Sequence, residues 1–202
     1  MRVRMVSYNI MRGGEGRADP LAEVVLGQRA DILGVHEAEN DEVLQRLARR
    51  LKMDFVAAAS VSGRIAIFSR LPIVASMNVA LIHSSSMPIL DAVIRVGAST
   101  LAVRVAHLTH AGEADRMGER LAARIPMVML MSYEPPLGHR AVEGIVKPAS
   151  EPVPAVTKLP VRQLDEVLTR REMRVTDRWW EQDRLAYYAS DHLPSGAEIE
   201  LT

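Results

Sequence analysis

Polar residues able to do chemistry stand at the ends of apolar runs at four places in this chain. Val3 to Tyr8 is apolar and partly β-branched, reads as a buried strand, and stops at Asn9. Ala30 to Val35 is a second such run and opens into His36-Glu37-Ala38-Glu39-Asn40. Ser99 to Ala106 is a third and ends in His107. Near the end comes Ala189-Ser190-Asp191-His192-Leu193-Pro194. There Pro194 fixes φ and cannot donate to a sheet, so the Asp-His pair is expected in a loop entering a last strand, Gly196 to Leu201. Strand ends are where α/β sheets place ligands. Carboxylates converging there suit a divalent cation that takes oxygen ligands, and by strand period Glu37 and Glu39 share one face with His36 on the other. A histidine beside a carboxylate suits proton transfer near neutral pH. Each group also has a plain reading: solvated carboxylates capping the next helix, a structural histidine, a capped or surface Asp-His dipeptide.

The elements that must position these groups follow from pattern. Ile10-Met11-Arg12-Gly13-Gly14-Glu15-Gly16 reads as a flexible turn, since its glycine spacing fits neither phosphate-loop pattern. Asp19 as N-cap and Pro20 as first residue open a helix to about Gln28, with Leu21, Val24 and Val25 on one face. A second helix is expected from Asp41 to Leu51, with Arg46, Arg49, Arg50 and Lys52 on a solvated face. Strands are predicted at Asp54 to Ala58, Arg64 to Ser69, Val74 to Ile82, Leu90 to Val96, Pro126 to Met131, Val161 to Leu168 and Met173 to Thr176. A helix is expected at Glu113 to Ala123. Prolines from Pro135 to Pro160 make the intervening chain a loop, and Trp179 to Tyr188 is a charged, aromatic approach to the Asp-His loop. Trp179, Trp180, Tyr187 and Tyr188 either stack on a base or sugar or pack the edge of the fold.

Bulk properties bound the function. A length of 202 residues fits a single domain, 1–202, with room for a sizeable core. Twenty-five basic residues balance twenty-five acidic ones, which disfavours a protein that grips nucleic acid mainly by neutralising phosphates. The absence of cysteine excludes disulfides and thiolate metal sites. No apolar leader opens the sequence and no run approaches the ~18 residues of a membrane span. The expectation is a soluble, cytoplasmic protein without membrane partners, its oligomeric state unreadable.

Taken in order, Ser7-Tyr8-Asn9-Ile10, Glu37, His107 and Ser190-Asp191-His192 resemble the endonuclease/exonuclease/phosphatase superfamily, with its deoxyribonuclease-like fold. Ser69-Arg70-Leu71-Pro72-Ile73 is similar to its S-R-x-P-I segment, and Leu164-Asp165-Glu166-Val167-Leu168 to its I-D-Y-I segment. The resemblance spans almost the whole chain. It implies an α+β fold, a two-sheet β-sandwich flanked by helices in four α/β/β/α layers. It implies metal-dependent hydrolysis of a phosphate ester, of a small molecule or of nucleic acid. Carried over by position, Glu37 would bind Mg²⁺ or Mn²⁺, with Asn9 beside metal and phosphate and Asp191 as a direct or water-mediated ligand. His192 would be the base, Asp165 would orient it, and His107 would bind phosphate or assist the leaving group.

One departure stands out. The family's G-D-F-N is expected after Met127 to Met131, where this chain reads Met131-Ser132-Tyr133-Glu134, so serine replaces the aspartate and glutamate the asparagine. Val105-Ala106-His107 likewise lacks the asparagine of N-x-H. Two readings therefore follow: an active phosphoesterase, or a degenerate member that keeps the fold and binds or regulates.

Overall fold

The computed structural model of the chain describes residues 1–83, 87–108, 127–133, 146–148, 165–170 and 173–201. In order the elements are β1 (Arg2–Asn9), α1 (Ala18–Gln28), β2 (Ile32–His36), α2 (Asp41–Leu51), β3 (Asp54–Ser60), β4 (Gly63–Ser69), β5 (Ile73–Asn78) and α3 (Val79–His83). There follow β6 (Ile89–Val96), β7 (Ser99–Leu108), β8 (Met127–Tyr133), β9 (Val146–Pro148), β10 (Asp165–Arg170), β11 (Arg174–Trp180), α4 (Arg184–Ala189) and β12 (Ser195–Glu200). They form two six-stranded sheets, ordered β11-β12-β1-β2-β4-β3 and β5-β6-β7-β8-β10-β9. Each sheet has one parallel pair, β1 with β2 and β7 with β8, among antiparallel neighbours.

Alternation along the strands explains why the sheets face each other. In β1, Val3 and Met5 enter the core between the sheets, while Val6 and Tyr8 enter a second core beneath the helices. In β2, Ile32 faces the opposite sheet and Leu33 and Val35 face the helices. At Gly34 the sheets are in close contact: a Cβ there would lie 2.7 Å from Leu130 Cβ and 2.9 Å from Val105 Cγ2. Glycine is required at that position by packing.

Leu21, Val24 and Val25 of α1, with Val43, Leu44 and Leu47 of α2, bury their apolar stripes against the first sheet. Asn40 caps α2, its side chain accepting from the N–H groups of Glu42 and Val43. Arg46 and Arg50 of α2 are bonded to Asp19 and Glu23 of α1, so this part of the basic face braces two helices. The two-sheet sandwich with helices is the expected fold. The helix expected at Glu113 to Ala123, which would supply the fourth layer, lies outside the described residues. No helix among the described residues is long and apolar enough to cross a membrane.

Several boundaries differ from the sequence reading. Helix α1 begins at Ala18, with Arg17 at the cap position and no side-chain cap, so Asp19 lies inside the first turn. Its carboxylate is occupied by Arg46 and Arg50 instead. The strand expected to reach Ile82 stops at Asn78, whose side chain donates to Ala59 O (2.9 Å), and helix α3 follows. The last part of the aromatic approach is helix α4, capped by Asp183. Residues 161–164, the start of the strand expected at Val161 to Leu168, lie outside the described residues.

Candidate functional site

The parallel pairs in the two sheets carry their C-terminal ends to one edge of the sandwich. Asn9 closes β1, Glu37 follows β2, His107 sits one residue before the end of β7, and Ser132 pairs with it in register on β8. Antiparallel strands begin where these end. Asp165 starts β10 opposite Ser132, and His192 lies in the segment entering β12 beside β1. Residues far apart in sequence are thereby gathered at one place.

Asn9 is the hub. Its N–H donates to Asp165 Oδ2 at 2.6 Å and its carbonyl accepts from Ser190 Oγ at 2.7 Å. Its side-chain nitrogen donates to Glu37 Oε1 (2.9 Å) and, at 3.4 Å, to Ser132 Oγ. Its side-chain oxygen accepts from the Met11 N–H at 2.9 Å. Asn9 therefore presents nitrogen, not oxygen, to Glu37 and holds that carboxylate in place. Ser190 also accepts from the His192 N–H (3.2 Å), coupling the Asp-His loop to β1.

Glu37 does not continue the strand. It has φ 53°, which ends β2 and turns its side chain toward the edge. Its Oε2 accepts from the Arg12 N–H at 2.6 Å, and its carbonyl accepts from the Gly13 N–H at 2.8 Å. The glycine-rich segment is thus not a loose turn. It wraps Glu37 in backbone donors, and a Cβ on Gly13 would come within 2.9 Å of Asn40. Arg17 fastens this turn to the opposite side of the site, donating to Ile10 O (3.0 Å), Met11 O (2.5 Å) and Ala189 O. Glu39, expected on the same face as Glu37, is exposed and accepts from the Arg64 N–H (3.3 Å), so the two carboxylates do not converge.

Asp165 and His192 form a buried pair, Oδ1 to Nδ1 at 3.4 Å, an ion-pair distance longer than a regular N–H···O bond. Their side chains are 0% and 5% exposed. Burial pushes the His192 pKa down, but the charge and contact of Asp165, helped by Asp191 and Glu37, outweigh it, and the net shift is upward. Burial likewise works against the Asp165 carboxylate, yet His192, His36 and the Asn9 amide hold its pKa below the usual range. Asp191 is half-buried, and its Oδ1 is enclosed without a hydrogen-bond partner among the described residues.

Behind the site, Ser7 Oγ donates to Met131 O (3.0 Å), linking the two sheets, and lies 3.0 Å from His36 Nε2. A hydroxyl has one hydrogen, so His36 must donate from Nε2, leaving Nδ1 as the bare nitrogen. Complete burial lowers the His36 pKa to about 3 and keeps the ring neutral. Its ring meets that of His107 with centroids 6.0 Å apart, which places His107 beside the site rather than on the outer surface. Ser7 lies in the Ser7-Tyr8-Asn9-Ile10 segment and His36 at a strand end, yet nothing in the sequence signals their contact or the Arg17 clasp; Ser190, two residues before His192, has a turn-forming hydroxyl as its signal.

Of the four aromatics, Trp179, Trp180 and Tyr187 pack against the helix-side core, and Trp179 donates to Gln28 Oε1 (2.5 Å). Packing therefore accounts for three of them; Tyr188 is 70% exposed.

The donors at this edge are few and are oxygens. No group of three or more histidine and carboxylate side chains converges among the described residues. Glu37 is fixed by two donors and keeps further lone pairs, and Asp191 has an oxygen with no protein partner. Hard oxygen donors in small number fit Mg²⁺ or Mn²⁺, which commonly take one or two carboxylates and complete their shell with water and phosphate oxygens. They fit no metal that demands a full protein cage.

No family profile matches the sequence, and no curated protein matches it. Solved structures do match in fold. An endonuclease/exonuclease/phosphatase from Bacteroides vulgatus superposes with a TM-score of 0.79 at 16% identity, covering 100% of both chains. The human Nocturnin catalytic domain with a bound sulfate gives 0.78 at 17% identity, over 100% of this chain and 95% of that one. A D. rerio TDP2 humanized by 14 mutations gives 0.73 at 13%, over 99% of each. The chain has the endonuclease/exonuclease/phosphatase fold.

Proposed function

From a chain of this fold with a buried Asp165–His192 pair at its sheet edge, we propose a divalent-metal-dependent phosphoesterase. It hydrolyses a phosphodiester or phosphomonoester by in-line attack of water. The observation that carries the reading is the single hydrogen-bonded network in which Asn9 joins Asp165, Glu37 and the His192 loop. A core needs no such convergence of carboxylates, which is costly unless it is used.

His192 takes the proton of the attacking water at Nε2. Asp165, on the Nδ1 side, holds the ring in the tautomer that leaves Nε2 able to accept, and its negative charge favours the imidazolium that results. Asn9 and the turn at Arg12 and Gly13 keep Glu37 oriented. Glu37 and Asp191 would hold Mg²⁺ or Mn²⁺, which when bound neutralises phosphoryl charge and polarises the phosphorus–oxygen bond. His107 serves as donor to the phosphate or leaving oxygen. The Nocturnin domain bound a sulfate, a tetrahedral anion of phosphate shape, in keeping with a fold that accepts such groups. Zero net charge favours small or singly phosphorylated substrates over a long nucleic acid.

Ser132 favours a second reading. It is fully buried and places a hydroxyl, not a carboxylate, against Asn9, so the chain could retain metal or phosphate binding without turnover. Hydrolysis of p-nitrophenyl and bis-p-nitrophenyl phosphate with Mg²⁺ or Mn²⁺, against an EDTA control and His192→Ala, separates the two. Metal-dependent turnover abolished by His192→Ala is the expected result. Metal binding with no turnover of any ester would establish the binding module.

A further inference from the structure

Two arginines border the site and are used differently. Arg17 spends its guanidinium on three backbone carbonyls. Arg12 is exposed, and its guanidinium makes no hydrogen bond or ion pair among the described residues. Yet Arg12 is fixed to the site through its backbone, its N–H lying 2.6 Å from Glu37 Oε2. Met11 and Arg12 have φ of 53° and 50°, positive values unfavourable for residues with side chains. The N–H groups of Met11, Arg12 and Gly13, bound to Asn9 and Glu37, hold the turn there. The turn sets an uncommitted cation at the rim of a site whose other charges are mainly the carboxylates of Glu37, Asp165 and Asp191.

We propose that Arg12 is a second anion subsite, gripping a phosphate next to the one that reacts. The inference rests on the phosphoesterase reading and names its substrate class: esters that carry a neighbouring phosphate. The reacting group must reach His192, which is 4% exposed, whereas Arg12 stands outside Glu37 at the solvent rim. Its partner is therefore a group projecting from the site. In a chain of zero net charge, selection for a second phosphate has to come from a local cation of this kind. A planar guanidinium with no protein partner is suited to bidentate phosphate recognition.

The test compares three substrates with Mg²⁺ present: the p-nitrophenyl ester of thymidine 5′-phosphate, the same ester bearing a 3′-phosphate, and its dinucleotide extension with a 3′-diester. Wild type is expected to prefer the 3′-phosphorylated or extended forms, the better of the two showing whether a terminal or a chain phosphate is recognised. Arg12→Gln should lower kcat/KM on the preferred form by about 10- to 100-fold more than on the simple ester, and Arg12→Lys should restore part of the difference. An equal loss on all three would overturn the proposal, since Arg12 would then act only through the turn that holds Glu37. Absence of preference in wild type would overturn it as well. If wild type hydrolyses none of them, the phosphodiester form of that reading fails separately, and calorimetric titration with thymidine 3′,5′-bisphosphate decides the subsite. Binding weakened at least tenfold by Arg12→Gln supports it; absent or equal binding ends it.

Discussion

Replacing Asp165 by asparagine removes one charge and leaves the shape nearly intact, including an oxygen able to accept the Asn9 N–H. Two unit charges 3.4 Å apart, as Asp165 and protonated His192 are, attract by about 5 kcal/mol at an effective dielectric of about 20. Burial works in the opposite direction on His192 and is the largest single influence on it. With Asp165 neutral, the balance turns toward burial and the His192 pKa falls. A base must be unprotonated to act, so the acidic limb of kcat/KM in the wild type follows a histidine raised above its ordinary 6.5. In Asp165→Asn that limb moves to lower pH. The plateau drops at the same time by about 10²–10⁴, because the asparagine no longer fixes the tautomer or favours the imidazolium. The assay is a pH profile of nitrophenyl ester hydrolysis with the His192 ring followed by NMR. A limb that stays in place, with the ring resonance titrating as before, would refute the coupling on which the base assignment depends.

Glu37→Gln should weaken Mg²⁺ or Mn²⁺ binding by about tenfold or more in calorimetry, since it removes the charged ligand that Asn9 and Arg12 orient; unchanged affinity would take the cation away from this edge. His36 has a pKa of about 3 when folded against an ordinary 6.5, so between those values the unfolded chain binds the extra proton and stability falls as pH drops, by up to about 1.4 kcal/mol per pH unit. His36→Gln, which retains a donor for Ser7, should flatten that decline in urea unfolding measured at pH 7 and pH 4.5, and parallel curves for the two proteins would show that His36 does not bind protons differently on unfolding.

Much of the candidate site was legible because strand ends announce themselves: an apolar run that stops at Asn9 or at His36-Glu37 marks the place where polar groups gather at the end of a sheet, buried though Asn9 and His36 are. Order along the chain then supplied the resemblance. What pattern could not supply was contact. The bond from Asn9 to Asp165 spans 156 positions and that from Ser190 to Asn9 spans 181, and no local periodicity encodes either. The period-2 argument failed at Glu37 and Glu39, because a single left-handed residue at Glu37 cancels the alternation on which it relies. The glycine-rich segment read as flexible for a similar reason: glycine permits many conformations, and only the acceptors offered by Asn9 and Glu37 select one. The type and place of Asp19 predict a helix cap, whereas arginines on another helix hold its carboxylate.

The pairing of β12 with β1 brings Met1 N and Leu201 O to 2.8 Å, with the Leu201 N–H returning a bond to Met1 O at the same distance. The sheet that carries Asn9 is thus closed by the strand that follows His192. During synthesis, Asn9 and Glu37 are made long before their histidine. A nascent chain is consequently inert toward phosphate esters in the proposed chemistry, and so is any partly folded species in which β12 has come away. In the proposed chemistry turnover would therefore report complete assembly, because detaching β12, an inner strand between β11 and β1, removes the base while the carboxylates are still in place.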